Sequence, residues 1–88
     1  MADPGALVKR IAELITEVSG GAIGSSDALE SRAPLIDVGL SSLSYLRLID
    51  MIENETGVYI DLEDAAGKLG TAADIAGYIE SQASSASR

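Results

Sequence analysis

Six aliphatic residues near the start of the chain, Leu7, Val8, Ile11, Leu14, Ile15 and Val18, fall within one arc when successive residues are turned by about 100°. Lys9, Glu13 and Thr16 fall on the opposite side, and Ser19-Gly20-Gly21 closes the segment. Such a helix must bury its apolar stripe against another surface. The rest of the chain offers no sheet for that purpose: sustained period-two runs of β-branched or aromatic residues are missing, and Tyr45, Tyr59 and Tyr78 are the only aromatic residues. The covering surfaces are therefore expected to be further helices with aliphatic faces. At 88 residues the chain suffices for one small domain, close to the lower size limit for a self-sufficient core.

The remaining segments supply those faces. Asp3 is placed to cap the first helix, and Pro4 suits its first turn. Residues 20–41 then form a long connection, which a compact domain tolerates only when it is pinned or used. Ile23, Leu29, Leu35, Ile36, Val38 and Leu40 are its candidate anchors, and residues 27–32 read as a short helical turn stopped before Pro34. A second helix is expected from the pair Ser41 and Ser42 to Thr56, with Gly57 as its stop. Tyr45, Leu48, Ile49 and Ile52 make its apolar face, flanked by Leu46 and Met51. Arg47, Asp50 and Asn54 lie opposite, with Glu53 at the edge. Leu43 breaks the pattern by projecting into the polar side.

V-Y-I at 58–60 is too short for a strand. Residues 61–69 read as a brief third helix capped by Asp61, with Leu62, Ala65, Ala66 and Leu69 on one side. After Gly70, Thr71 and Asp74 have capping-box spacing, and Ile75 and Ile79 supply the core face of a last helix. The expected fold class is all-α: a four-helix bundle with a long loop between helices one and two and a short third helix. It forms a single domain over 1–88, ordered over about 4–82 with a frayed tail at 83–88. Met1 and the soft ends favour a free-standing chain, and a monomer is expected.

Charge and residue types narrow the chemistry. A formal net charge of −8 disfavours nucleic acid and anionic membrane as partners, and suits a basic protein surface. No stretch reaches transmembrane length, and M-A-D-P-G lacks the basic-then-apolar order of a secretory leader, so a cytoplasmic location is expected. Histidine and cysteine are absent, which leaves a serine nucleophile without its usual base and removes thiolate metal ligands. Asp61, Glu63 and Asp64 are accounted for by placement at a helix N-terminus, and no EF-hand or P-loop spacing occurs. Neither catalysis nor a metal site is expected. What stands out is the serine pair where coil meets helix. Free N–H groups there stabilise an attached anion, although serine also favours that place as a plain cap.

The stretch D-V-G-L-S-S-L (residues 37–43), followed by the helix S-Y-L-R-L-I-D-M-I-E, resembles the attachment motif of acyl carrier proteins, usually Asp-x-Gly-x-Asp-Ser-Leu ahead of an amphipathic helix. The similarity covers most of the chain, from the first helix through the T-G-V turn to the last. It implies a four-helix bundle of acyl-carrier-protein type in which Ser42 takes covalent 4′-phosphopantetheine from coenzyme A, by the action of a phosphopantetheinyl transferase. The arm's thiol would then hold an acyl group as a thioester. Asp37 and Gly39 match the positions before the serine and Leu43 the one after it. The resemblance also implicates Leu43, Arg47, Asp50, Glu53 and Asn54 in meeting partners: acyltransferase, ketosynthase, or other synthase and tailoring enzymes.

Ser41 stands where the family usually has an acid, so either serine is open as the carrier, with Ser42 preferred because Leu43 follows it. Together with Arg47 on a commonly acidic face, this departure favours polyketide or related natural-product biosynthesis over a general fatty-acid system. A peptidyl or aryl carrier of the nonribosomal type is the nearest alternative, and an acidic helical interaction module without a prosthetic group is the more distant one.

Overall fold

The computed structural model describes residues 4–30, 32–61 and 69–86. Four helices follow in order: α1 (Pro4–Val18), α2 (Ser25–Glu30), α3 (Ser42–Thr56) and α4 (Ala72–Ala86). No strand occurs among the described residues. The all-α class and the long loop after the first helix are as the sequence implies. The expected third helix over 61–69 and the capping role of Asp3 fall outside the described residues, apart from Asp61 and Leu69 at the edges of the gap.

α1 is the centre of the bundle and packs against each of the other three helices. Ile11, Leu14 and Ile15 are buried, and the small Ala12 is buried with them. Leu48, Ile49 and Ile52 of α3 and Ala72, Ile75, Ala76 and Ile79 of α4 complete an all-aliphatic core. No polar or charged side chain is buried among the described residues, so the core carries no desolvation penalty of that kind. Ser19 closes α1 on both sides of its hydroxyl, donating to the Thr16 carbonyl at 3.0 Å and accepting the Ile23 N–H at 3.1 Å. The buried Ile23 side chain then enters the core.

The loop does not use all its apolar residues as anchors. Ile23, Leu35 and Leu40 are buried as expected, whereas Leu29, Ile36 and Val38 are 39%, 50% and 41% exposed. In α2, which starts at Ser25 rather than Asp27, the small Ala28 turns inward and Leu29 turns out. Around 35–40 the chain wraps in a tight turn, and such a turn directs only its two ends, Leu35 and Leu40, into the core.

Backbone and side-chain bonds tie the loop to distant segments. The Leu35 N–H donates to the Gly70 carbonyl at 2.6 Å, and the Tyr45 hydroxyl donates to the adjacent Leu69 carbonyl at 2.9 Å. Partial burial raises the pKa of Tyr45, keeping that hydroxyl a donor. Arg10 of α1 grips Glu55 of α3 through two bonds of 2.9 and 2.8 Å and reaches Glu13 at 3.1 Å. The hydrogen bonds from Arg10 hold the Glu55 carboxyl below its ordinary range.

Thr71 begins α4 with its hydroxyl accepting the Asp74 N–H at 3.1 Å, the forward half of the capping box. α4 runs to Ala86, so helical backbone continues into the stretch where the sequence suggests a tail. Serine, alanine and glutamine there contain no helix-breaking glycine or proline, and an established helix extends at little cost.

Candidate functional site

The site is built by the turn that delivers the chain to α3. The Pro34 carbonyl accepts the N–H groups of Asp37 at 2.9 Å and Val38 at 3.2 Å. Gly39 N–H then donates to Ile36 O at 3.3 Å and Leu40 N–H to Leu35 O at 3.0 Å, the paired bonds of a Schellman-type stop. Gly39 has φ 113°, a conformation in which an L side chain is strained even though a Cβ there would meet nothing within 4 Å. Glycine is thus required for its backbone rather than for space. The next residue, Leu40, is 2% exposed and pegs the turn to the core.

Beyond this peg the two serines take different parts. Ser41 is extended (φ −70°, ψ 158°) and is the N-cap: its hydroxyl oxygen accepts the Ser44 N–H at 3.1 Å, and its carbonyl accepts the Tyr45 N–H at 2.9 Å. Ser42 is the first helical residue. Its side chain is exposed, and its hydroxyl makes no hydrogen bond among the described residues. The first turn of α3 contains no acidic residue, so no carboxylate of that turn offsets the positive pole of the helix. A phosphodiester on Ser42 would lie in that field, beside N–H groups the helix leaves unpaired, and would extend into solvent. The residues present therefore fit an attached anionic group at Ser42 and leave Ser41 occupied. Asp37, which the resemblance matched to the motif, is exposed.

The outer surface of α3 brings Leu43, Arg47, Asp50 and Asn54 into one exposed stripe at helical spacing. Leu43 is 67% exposed. Asn54 donates its side-chain N–H to Asp50 at 3.4 Å. Glu53 is half-buried, and its carboxylate accepts the Ile60 N–H at 2.8 Å, fixing the segment after α3. Gly57, left-handed at φ 73°, returns its N–H to Glu53 O and turns the chain toward that segment.

Two exposed residues extend this surface beyond those the sequence nominates. Leu46 is 51% exposed rather than merely flanking the apolar face, and Tyr59 is 75% exposed. With Ile49, Asp50, Glu53, Ile60 and Asp61 they line an open cleft of about 520 Å³. The signal for Tyr59 is in V-Y-I, where alternation sends Ile60 inward and the tyrosine outward. On the other flank of α3, Arg47, Asp50 and Met51 face Glu17 and Val18 of α1 across a second cleft of about 320 Å³.

Among the described residues no group of three or more acidic side chains could hold a metal ion, and no helix is long and apolar enough to cross a membrane.

Comparison with known proteins gives one positive result: a family model described as the phosphopantetheine attachment site matches residues 7–79. No curated protein and no solved structure gives a match. The matched span begins on α1, ends on α4 and encloses the serine pair. Its members carry covalent 4′-phosphopantetheine, are generally non-catalytic, and work with phosphopantetheinyl transferases and synthase enzymes. Over the greater part of its length, and with a helical bundle to match, the chain belongs to the phosphopantetheine attachment-site family of carrier domains.

Proposed function

We propose that the domain is an acyl carrier whose 4′-phosphopantetheine is attached to Ser42, and that it serves polyketide or related natural-product biosynthesis in the cytoplasm. The observation that carries the site assignment is the division of work between adjacent serines: Ser41 Oγ is committed to the Ser44 N–H, while the Ser42 hydroxyl is exposed and uncommitted. With no histidine in the chain, the base that takes the Ser42 proton during modification comes from the transferase. When attached, the group supplies a terminal thiol on a flexible arm, a chemistry the cysteine-free chain lacks. The chain's own residues then hold and present it. Helix N–H groups of α3 face the phosphate, the Gly39–Leu40 turn keeps Ser42 raised from the core, and the stripe Leu43, Arg47, Asp50 and Asn54 offers a docking surface, with Glu53 bracing its edge.

The pathway assignment is supported by Ser41 in place of an acid before the modified serine and by Arg47 on α3, both departures suited to dedicated partners. Val38-Gly39-Leu40-Ser41-Ser42 also departs from the Gly-Gly-His/Asp-Ser pattern usual in peptidyl carriers. Incubation with coenzyme A and a broad-specificity phosphopantetheinyl transferase tests the attachment. The wild-type domain is expected to gain one phosphopantetheinyl group and Ser42→Ala none. Labelling that survives in Ser42→Ala and disappears in Ser41→Ala moves the site by one residue.

A further inference from the structure

The stretches before and after Ser42 are tied to one corner of the chain. Before the serine, the Leu35 N–H donates to the Gly70 carbonyl at 2.6 Å. After it, at the end of the first turn of α3, the Tyr45 hydroxyl donates to the Leu69 carbonyl at 2.9 Å. The two acceptors belong to neighbouring residues, and the corner they form is firmly mounted. Leu69 is buried, Thr71 caps α4 directly after it, and Ala72 and Ile75 are enclosed in the core. Gly70 also packs against Pro34, where an added Cβ would stand 3.5 Å from the proline Cα and Cβ. The Pro34 carbonyl in turn accepts the first bonds of the site turn, from Asp37 and Val38.

Burial of Leu35 and Leu40 holds the turn down on the core, but hydrophobic contact is non-directional and leaves rotation open. Hydrogen bonds restrict direction. Tyr45 lies one helical turn beyond Ser42, so a rotation of α3 about its axis that swings the serine also breaks the Tyr45 bond. We propose that Tyr45 is a positioning residue for modification of Ser42. Its hydroxyl locks the start of α3 to the 69–70 corner that also holds the Leu35 turn, and so fixes the direction in which the serine oxygen is presented. This inference rests on the carrier reading above. In that modification the Ser42 oxygen forms a bond to the phosphorus that bears pantetheine, and the pyrophosphate bond of coenzyme A breaks. The nucleotide half leaves as adenosine bisphosphate, and the serine proton passes to the transferase base. The rate of such a displacement depends steeply on the placement of the attacking oxygen.

The test compares the whole domain as wild type, Tyr45→Phe, which deletes only the hydroxyl, and Ile79→Val, which removes one buried carbon from α4 away from the corner. Circular dichroism verifies that each is helical. Amide hydrogen exchange by NMR reads the unmodified proteins. In Tyr45→Phe the Leu35 N–H is expected to exchange about fivefold faster relative to the Ile15 N–H of α1, although Tyr45 does not touch Leu35's amide. In Ile79→Val that ratio is expected to stay at the wild-type value. Transfer from coenzyme A by a broad-specificity phosphopantetheinyl transferase supplies the second readout. Tyr45→Phe is expected to lower kcat about threefold to tenfold with KM within about twofold, because the oxygen is misdirected while the outer stripe of α3 is untouched. Ile79→Val is expected to keep both constants. A Leu35 ratio unchanged in Tyr45→Phe, or a kcat for Tyr45→Phe equal to that of Ile79→Val, overturns this inference alone. A wild-type domain that takes up no phosphopantetheine overturns the carrier reading and this inference with it.

Discussion

The Oγ of Ser41 accepts the backbone N–H of Ser44 at 3.1 Å, spanning Ser42 and leaving that residue's hydroxyl without an internal task. Capping thus falls to Ser41, and in the proposed reading attachment falls to Ser42. Ser41→Ala is expected to lose about 0.5–2 kcal/mol of stability, the usual worth of such a cap, while still accepting phosphopantetheine. Ser41→Asp, which caps equally well, is expected to restore most of the loss. Urea denaturation of the three proteins checks both statements.

Gly39 at φ 113° turns the chain between the Leu35 anchor and the Leu40 peg. Gly39→Ala is expected to cost about 1–3 kcal/mol, the strain of an L residue in such a conformation, since open space around the site removes any steric contribution. The same variant is expected to be modified more slowly, because the turn sets where Ser42 stands. Chemical denaturation and the transfer rate together test this.

Leu35 and Ile36 are neighbours with opposite surroundings, 1% and 50% exposed. Leu35→Ala is expected to destabilise the domain by about 2–5 kcal/mol, whereas Ile36→Ala should stay within about 0.5 kcal/mol of wild type. Equal losses in thermal or urea unfolding would return Ile36 to the role of anchor that its hydrophobicity suggests.

Glu55 has its folded-state pKa lowered by hydrogen bonds from Arg10. A lowered carboxyl pKa means that its contribution to stability is present above the unfolded-state value and is lost as pH falls through the folded-state value. The wild type is therefore expected to be more stable than Glu55→Gln at neutral pH, with the difference shrinking on the acid side and vanishing once Glu55 is protonated. The pair is exposed, so the effect is small and weakens with salt. Urea midpoints measured across the acid range decide it.

Much of this architecture is legible in the residues. The aliphatic arc of α1, the Ser41-to-Gly57 span of α3 and the Thr71 start of α4 follow from helix periodicity and capping chemistry, which are local. The loop resists the same treatment because its order is set by distant partners. Leu35 is fixed by the Gly70 carbonyl and Tyr45 by Leu69, contacts that no periodicity encodes. Hydrophobicity alone therefore overcounts the anchors, making Leu29, Ile36 and Val38 equal to Ile23 and Leu40. Leu46 and Tyr59 escape notice for a related reason: an apolar residue at the margin of a helical face is buried or bare according to what packs beside it. At the site itself, both the serine pair and the preference for Ser42 are legible in sequence, from Leu43 after it and Ser41 before it, and the hydrogen bond that Ser41 makes supports that preference.

The most direct measurement is fragment-ion mass spectrometry of the phosphopantetheinylated wild-type domain, on a peptide spanning residues 37–47. The expected result is a mass increment that is absent from fragments ending at Ser41 and present in those that include Ser42. An increment already carried by fragments ending at Ser41 contradicts the account, since it would require the capping hydroxyl to be the one given up.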